Sequence, residues 1–144
     1  MPPRPSYKSF VVERDIGAPR DVVWQTLLDF LFEVTHGYTV PGDPPPHGPG
    51  AEVHFRLGQW DLVERTLTLE PPWRRVYEIA AGAPVKLYHA TTALRDDGDE
   101  CHFVWSYLAE AFDDGSSEEF LERAKAAITT AADMVVARVE SRRG

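Results

Sequence analysis

The sequence predicts a single α+β domain in which a curved antiparallel sheet packs against a long C-terminal helix. Three observations carry that prediction. From Ala51 to Ala111 short segments alternate apolar and polar residues, and turn signals separate them. Behind Ser116 one apolar stripe continues at helical spacing almost to the C-terminus. Ahead of Ala51 stand one alternating segment and one amphipathic segment.

Lys8 to Asp15 alternates, with Phe10 and Val12 on one face and Val11 and Glu13 on the other, and predicts a first strand. Gly17-Ala18-Pro19 ends it, and Pro19 suits the first turn of a helix, where its missing N–H costs nothing. Val23, Trp24, Leu27, Leu28 and Leu31 then recur at helical spacing opposite Arg20, Asp21, Gln25 and Asp29, so a helix is expected to end near His36-Gly37. Pro41 to Gly50, with three consecutive prolines, fits neither a helix nor a central strand. It is expected to be a surface loop and a gate over whatever lies beneath it.

The strands follow in series. Val53, Phe55 and Leu57 alternate with His54 and Arg56, and Gly58-Gln59 turns the chain. Leu62 to Glu70 sets Val63, Arg65, Leu67 and Leu69 against Glu64, Thr66 and Thr68; Pro71-Pro72 stops it. Arg75 to Ala80 and Val85 to Arg95 are further strands, divided by Gly82-Ala83-Pro84. Asp96-Asp97-Gly98-Asp99 is a hairpin turn leading into Cys101 to Ala111, where Cys101, Phe103, Trp105 and Tyr107 share a face. Short connections make the pairing antiparallel. Ser116-Ser117-Glu118-Glu119 reads as a capping box with Ser116 as N-cap. Phe120, Leu121, Ala124, Ile128, Ala131, Val135 and Val139 then form the stripe of a helix reaching about Ser141, and its alanines are expected to let the sheet approach closely.

Composition bounds the function. The 144 residues hold one domain, and 43% hydrophobic content supports a packed core. A formal charge of −8, from 15 basic and 23 acidic residues, argues against nucleic acid and anionic membranes as partners. Cys101, the one cysteine, allows no internal disulfide and no thiol-rich metal site. No leader-like apolar stretch follows Met1-Pro2-Pro3-Arg4-Pro5, and no apolar run reaches the ~20 residues of a membrane span. A cytoplasmic protein, monomer or homodimer, is expected.

The order strand, helix, irregular loop, antiparallel strands and terminal helix resembles the helix-grip fold of the START-like, or SRPBCC, superfamily. Ala18-Pro19-x-x-Val22-Val23-Trp24 resembles that family's opening, and Gly48-Pro49-Gly50-Ala51 its glycine before the sheet. Val63-Glu64-Arg65, Glu70-Pro71-Pro72 and Val76-Tyr77-Glu78-Ile79 resemble its middle hairpin. Asp97-Gly98 followed by Val104-Trp105-Ser106 resembles its late hairpin. Together they span nearly the whole chain and point to the polyketide cyclase/dehydrase type. The resemblance implies one START-like ligand-binding domain over residues 1–144, with an apolar cavity between sheet and helix. Such a gap follows because a concave sheet and a straight helix cannot interdigitate along their whole length. The expected partner is an apolar small molecule (a polyketide, lipid or aromatic metabolite), with no cofactor, no metal and no membrane insertion.

Candidate chemistry rests on a few side chains. Arg65 shares a face with Val63, Leu67 and Leu69, so it is expected to point inward and meet a ligand oxygen, unless a bulge or an internal Glu pair claims it. Tyr77 and Tyr88 offer hydroxyls for proton transfer. His89 serves as a general base if its face is the inner one, which the pattern leaves open between it and Tyr88. Trp24, Phe55, Leu67, Ile79, Trp105, Tyr107 and Ile128 are the expected apolar walls. Glu64 and Glu78 are read as outward unless the strand is bulged, His54 and His102 are read as outward, and Cys101 and His102, as strand neighbours, form no nucleophile–base pair. The acidic cluster from Asp96 to Glu100 lacks the spacing of a calcium loop, and no phosphate-loop, nucleotide or His-Glu-x-x-His motif is present. Three functions remain: a cyclase or dehydratase, a non-catalytic carrier, and a chaperone-activator-like module. The last is ranked below the others because the outer face of His54, Arg56, Glu64, Thr66 and Thr68 reads as polar.

Overall fold

The computed structural model describes residues 4–143. Met1 to Pro3, part of the stretch read above for a leader, lie outside the described residues. The elements run β1 (Ser6–Ile16), α1 (Arg20–Val34), β2 (Glu52–Leu57), β3 (Trp60–Glu70), β4 (Arg74–Ala81), β5 (Val85–Asp97), β6 (Glu100–Ala111) and α2 (Glu118–Arg143). The strands form one curved antiparallel sheet in the order β1-β6-β5-β4-β3-β2, so the first strand closes against the last. Helix α2 crosses the concave face and α1 packs beside it, which is the helix-grip arrangement. Neither helix is long and apolar enough to cross a membrane.

Local chemistry sets the boundaries. Pro19 occupies the N-cap of α1 in an extended conformation. The C-terminus closes with two bonds, His36 N–H to the Glu33 carbonyl at 3.1 Å and Gly37 N–H to the Phe32 carbonyl at 2.8 Å. That is a Schellman closure, and it holds His36 in the left-handed region at φ 55°. The start of α2 departs from the expected capping box. The helix begins at Glu118, and the Ser117 carbonyl accepts the first helical bond, from Leu121 N–H at 3.0 Å. The Ser116 hydroxyl instead donates to Asp114. The buried Ser117 hydroxyl donates to the Pro84 carbonyl at 2.6 Å and accepts from Phe112 N–H at 2.8 Å. This serine ties together the β4–β5 turn, the end of β6 and the root of α2, and that service outcompetes capping.

Strand β3 reverses the expected face. The two-residue turn after Leu57 pairs Phe55 with Leu62 and Val53 with Glu64. Directly paired residues share a face, and Val53 and Leu62 are buried. Leu62, Glu64 and Thr66 therefore point inward, and Val63 and Arg65 point outward. Leu67 is the extra residue of a bulge, since Thr66 pairs with Tyr77 and Thr68 with Val76. The expected inward face resumes past the bulge, at Leu69. On β5 the open choice resolves toward Tyr88, which is buried with Ala90, Thr92 and Leu94 on the inner face, so His89 faces outward. The outer face is also less polar than expected, because Glu64 and Thr66 leave it and Tyr7, Val11 and Leu108 lie exposed on it.

Candidate functional site

Between α2 and the β2–β4 end of the sheet lies a cavity of about 300 Å³, adjoined by a small inner lobe of about 60 Å³ that shares Phe55, Glu64, Tyr77, Ala127 and Ile128 with it. Helix α1 contributes Phe30, Leu31 and Val34; β2 contributes Val53 and Phe55. Ile79, Tyr88 and Phe120 close the inner lobe. The α2 wall is Ala127, Ile128 and Ala131. Ala132 is fully buried, whereas Ala124 borders the inner lobe and the short side chains of Ala127 and Ala131 leave the main space empty.

One polar cluster interrupts the apolar wall. Arg75, 3% exposed, donates from Nη2 to Glu64 Oε2 at 2.6 Å and to Thr66 Oγ1 at 3.2 Å. Its guanidinium also lies 4.6 Å from the Tyr77 ring centroid. Arg75 Nη1 is buried without a protein partner among the described residues. Glu64 lines the cavity and its side chain keeps 15% exposure, so one carboxylate faces the space while Arg75 holds it from behind. Trp105 Nε1 donates to Tyr77 Oη at 3.0 Å. Because that oxygen is the acceptor, the Tyr77 hydroxyl proton is free to be donated into the cavity. Burial, then the nearby Glu64 charge, holds the Tyr77 pKa far above the ordinary phenol value, so the group stays a donor. The site thus sets a hydrogen-bond donor beside an acceptor on one wall of an apolar cavity.

The mouth has its own pair. Tyr38, which lines the cavity beside Thr35, lies 2.7 Å from His47 Nδ1. Burial pushes the Tyr38 pKa up to about 12, with Arg75 opposing and Glu64 adding to the rise. Burial lowers the His47 pKa, Arg75 lowers it further and Asp29 works the other way. The Tyr38 hydroxyl and the His47 imidazole thus share one hydrogen bond at the mouth. His47 belongs to the proline-rich loop, which is bonded to itself: Gly42 N–H to the Pro46 carbonyl and Gly48 N–H to the Pro44 carbonyl, both at 2.8 Å. A Cβ at Gly42 would meet the Gly48 carbonyl oxygen at 1.9 Å, so this close approach requires glycine. The loop is a compact plate fastened to the cavity mouth through Tyr38 and His47.

The structure brings Phe55, Tyr77, Trp105 and Ile128 to the main cavity, and Ile79 and Tyr88 to its inner lobe. It does not bring Arg65. That side chain is 41% exposed on the outer face, 3.1 Å from Glu52 and 3.7 Å from Glu78, because the β2–β3 register turns it away. His89 faces outward with it, paired in register with Glu78 and Leu108. Leu67 sits in the bulge, and Trp24 is packed into the core instead of the cavity wall. Tyr107 borders a separate space near the start of α2. Cys101 is buried, its thiol pushed up to about 11 by burial, while His102 lies on the outer face against Asp15 and Glu13. Sequence reasoning missed Glu64, Arg75, Tyr38 and His47. A signal existed for two of them: Arg75 shares strand parity with Tyr77 and Ile79, and Glu64 with Leu62.

With this geometry in place, the chain belongs to the family described as polyketide cyclase / dehydrase and lipid transport, which matches residues 8–140. It is START-like, of the SRPBCC type. No curated protein matches it. Similar solved structures include a norcoclaurine synthase point mutant of Thalictrum flavum, in complex with a transition-state analogue. It is 16% identical over 99% of this chain and 100% of that one, with a TM-score of 0.75. Ara h 8.0201 is 13% identical over 94% and 99%, with a TM-score of 0.74. The Zhui aromatase/cyclase of a Streptomyces species is 17% identical over 96% and 97%, with a TM-score of 0.67. At these identities the likeness is one of fold. The family and the fold support a hydrophobic-ligand-binding fold.

Proposed function

We infer that this cavity receives an apolar, oxygen-bearing small molecule of polyketide-like type and promotes its cyclisation or dehydration. The observation that supports this reading is that the Tyr77 hydroxyl and the Glu64 carboxylate both belong to the lining of one largely apolar cavity. A ligand carbonyl accepts from Tyr77. Glu64 takes the proton from the adjacent carbon, and the released electron pair moves toward the carbonyl as an enolate held by the Tyr77 hydrogen bond. Attack of that carbon on a second carbonyl of the folded chain forms the new carbon–carbon bond, and the proton on Glu64 passes to the resulting alkoxide. Tyr77 and Glu64 take the roles that the sequence alone assigned to Arg65 and His89. Phe55, Ile79, Trp105 and Ile128 shape the chain.

A second reading, non-catalytic carriage of a lipid or aromatic metabolite, is favoured by the Arg75–Glu64 contact, which holds the carboxylate as a fixed acceptor. Native mass spectrometry of the purified protein, followed by denaturing extraction, supplies a candidate ligand. Incubating that compound with wild-type protein, Glu64→Gln and Tyr77→Phe then separates the readings. Turnover by the wild type that is lost in both variants supports the enzyme. Retention of unchanged compound by all three overturns it in favour of the carrier.

A further inference from the structure

A second space of about 340 Å³ lies at the other end of the sheet–helix gap, bordered by Lys8 and Ser9 of β1, Tyr107 of β6, and Glu118, Glu122 and Lys125 of α2. What separates it from the inner lobe of the main cavity is a partition of aromatic rings. Tyr88 faces the lobe and Tyr107 faces the outer chamber. Their rings stack at 5.0 Å, and Phe120 meets Tyr88 edge-on at 6.0 Å. The strand rows through this partition carry little else. Ala90 stands between Tyr77 and Tyr107, and Ala109 stands between Tyr88 and Lys8.

Tyr107 is 3% exposed, and its hydroxyl is buried without a partner among the described residues. Burying a hydroxyl unsatisfied is costly, and an apolar partition could have been built from phenylalanine. Burial raises the Tyr107 pKa, and Glu122, which borders the outer chamber, adds to the rise, so the hydroxyl lies within its field. A small rotation of the ring would carry the hydroxyl into the chamber and open the partition in one movement.

We propose that the outer chamber is a second ligand compartment, reached past Tyr88 and Tyr107, that receives the uncharged oxygen terminus of a chain-like apolar molecule whose body fills the main cavity. The chamber's charges balance, two lysines against two glutamates, and Lys125 already meets Glu122 at 3.0 Å. A neutral hydroxyl or carbonyl suits that balance better than a full charge, and Tyr107 supplies its hydrogen bond. The inference rests on the cavity reading above and adds to it the shape of the ligand: elongated, with a polar end.

The test uses the intact chain and displacement of the apolar fluorophore N-phenylnaphthylamine by straight-chain primary alcohols of about eight to about sixteen carbons, beside their methyl ethers. Affinity is expected to rise through the whole series, by up to about fourfold per methylene. The long alcohols and long ethers, which can both accept from Tyr107, are each expected to bind Tyr107→Phe, folded by circular dichroism, about fivefold more weakly than the wild type. Short members are expected to bind the two proteins alike. A plateau once the main cavity is filled, or long-chain affinity unchanged in Tyr107→Phe, would overturn the second compartment and leave the main cavity standing. Failure of every alcohol to displace the probe would overturn both.

Discussion

Arg75 and Glu64, eleven residues apart and on neighbouring strands, meet at 2.6 Å with the arginine almost wholly enclosed. Removing the arginine alone would strand a carboxylate in an apolar wall. Arg75→Met is therefore expected to lower the unfolding free energy by about 3–5 kcal/mol, whereas Arg75→Met combined with Glu64→Leu recovers most of that loss. Urea denaturation of the three proteins checks this. Equal loss in the single and double variants would mean that the pair is not the interior contact described.

Arg65 and His89 face away from the cavity. Arg65→Ala and His89→Ala are expected to leave ligand affinity within about twofold of wild type, and Arg65→Ala to cost no more than about 1 kcal/mol of stability, as surface pairs do. Calorimetric titration with the extracted ligand reads the first, and thermal unfolding the second. A tenfold loss of affinity in either variant would return that residue to the site.

His102 is bracketed by Asp15 at 2.8 Å and Glu13 at 3.0 Å on the outer face. Its pKa is raised, by the Asp15 bond first and the Glu13 bond second. The folded state thus holds the proton more tightly than the unfolded chain does. The resulting stability is fully present below the unfolded value of about 6.5 and is lost as pH rises through the folded value. The two carboxylates are exposed, so the effect is expected to be under about 1 kcal/mol. Melting temperatures of wild type minus His102→Gln, measured across the neutral range, should fall with rising pH, and a flat or rising difference would contradict the assignment.

His36 holds a left-handed conformation at the end of α1. A side chain costs about 1–2 kcal/mol there, part of which glycine's greater freedom in the unfolded chain takes back. His36→Gly is expected to stabilise the fold by about 0.5–1 kcal/mol, and a lower denaturation midpoint would show that the imidazole makes a contact outweighing the strain.

The six strands and two helices were legible because alternation, helical spacing and turn residues all act locally, and strands β1 to β5 each end beside a glycine or proline. The Trp105 and Tyr107 face was legible for the same reason. Strand β3 was not. Its outward Val63 and its bulged Leu67 are apolar, and its inward residues Glu64 and Thr66 are polar because Arg75 reaches them from the next strand. Hydrophobic parity fails where a buried polar pair inverts it, and the Leu67 bulge shifts parity again. Tyr38 and His47 were invisible for a different reason: they meet across a loop whose path no periodicity describes.

The central claim is that the space beside Ala127 and Ala131 receives an apolar molecule. Fluorescence titration of N-phenylnaphthylamine into wild type and into Ala127→Leu/Ala131→Phe, with folding confirmed by circular dichroism, tests it most directly. Saturable binding to the wild type, weakened by about tenfold or more in the filled variant, is the predicted result. Equal affinity for the two folded proteins would contradict it.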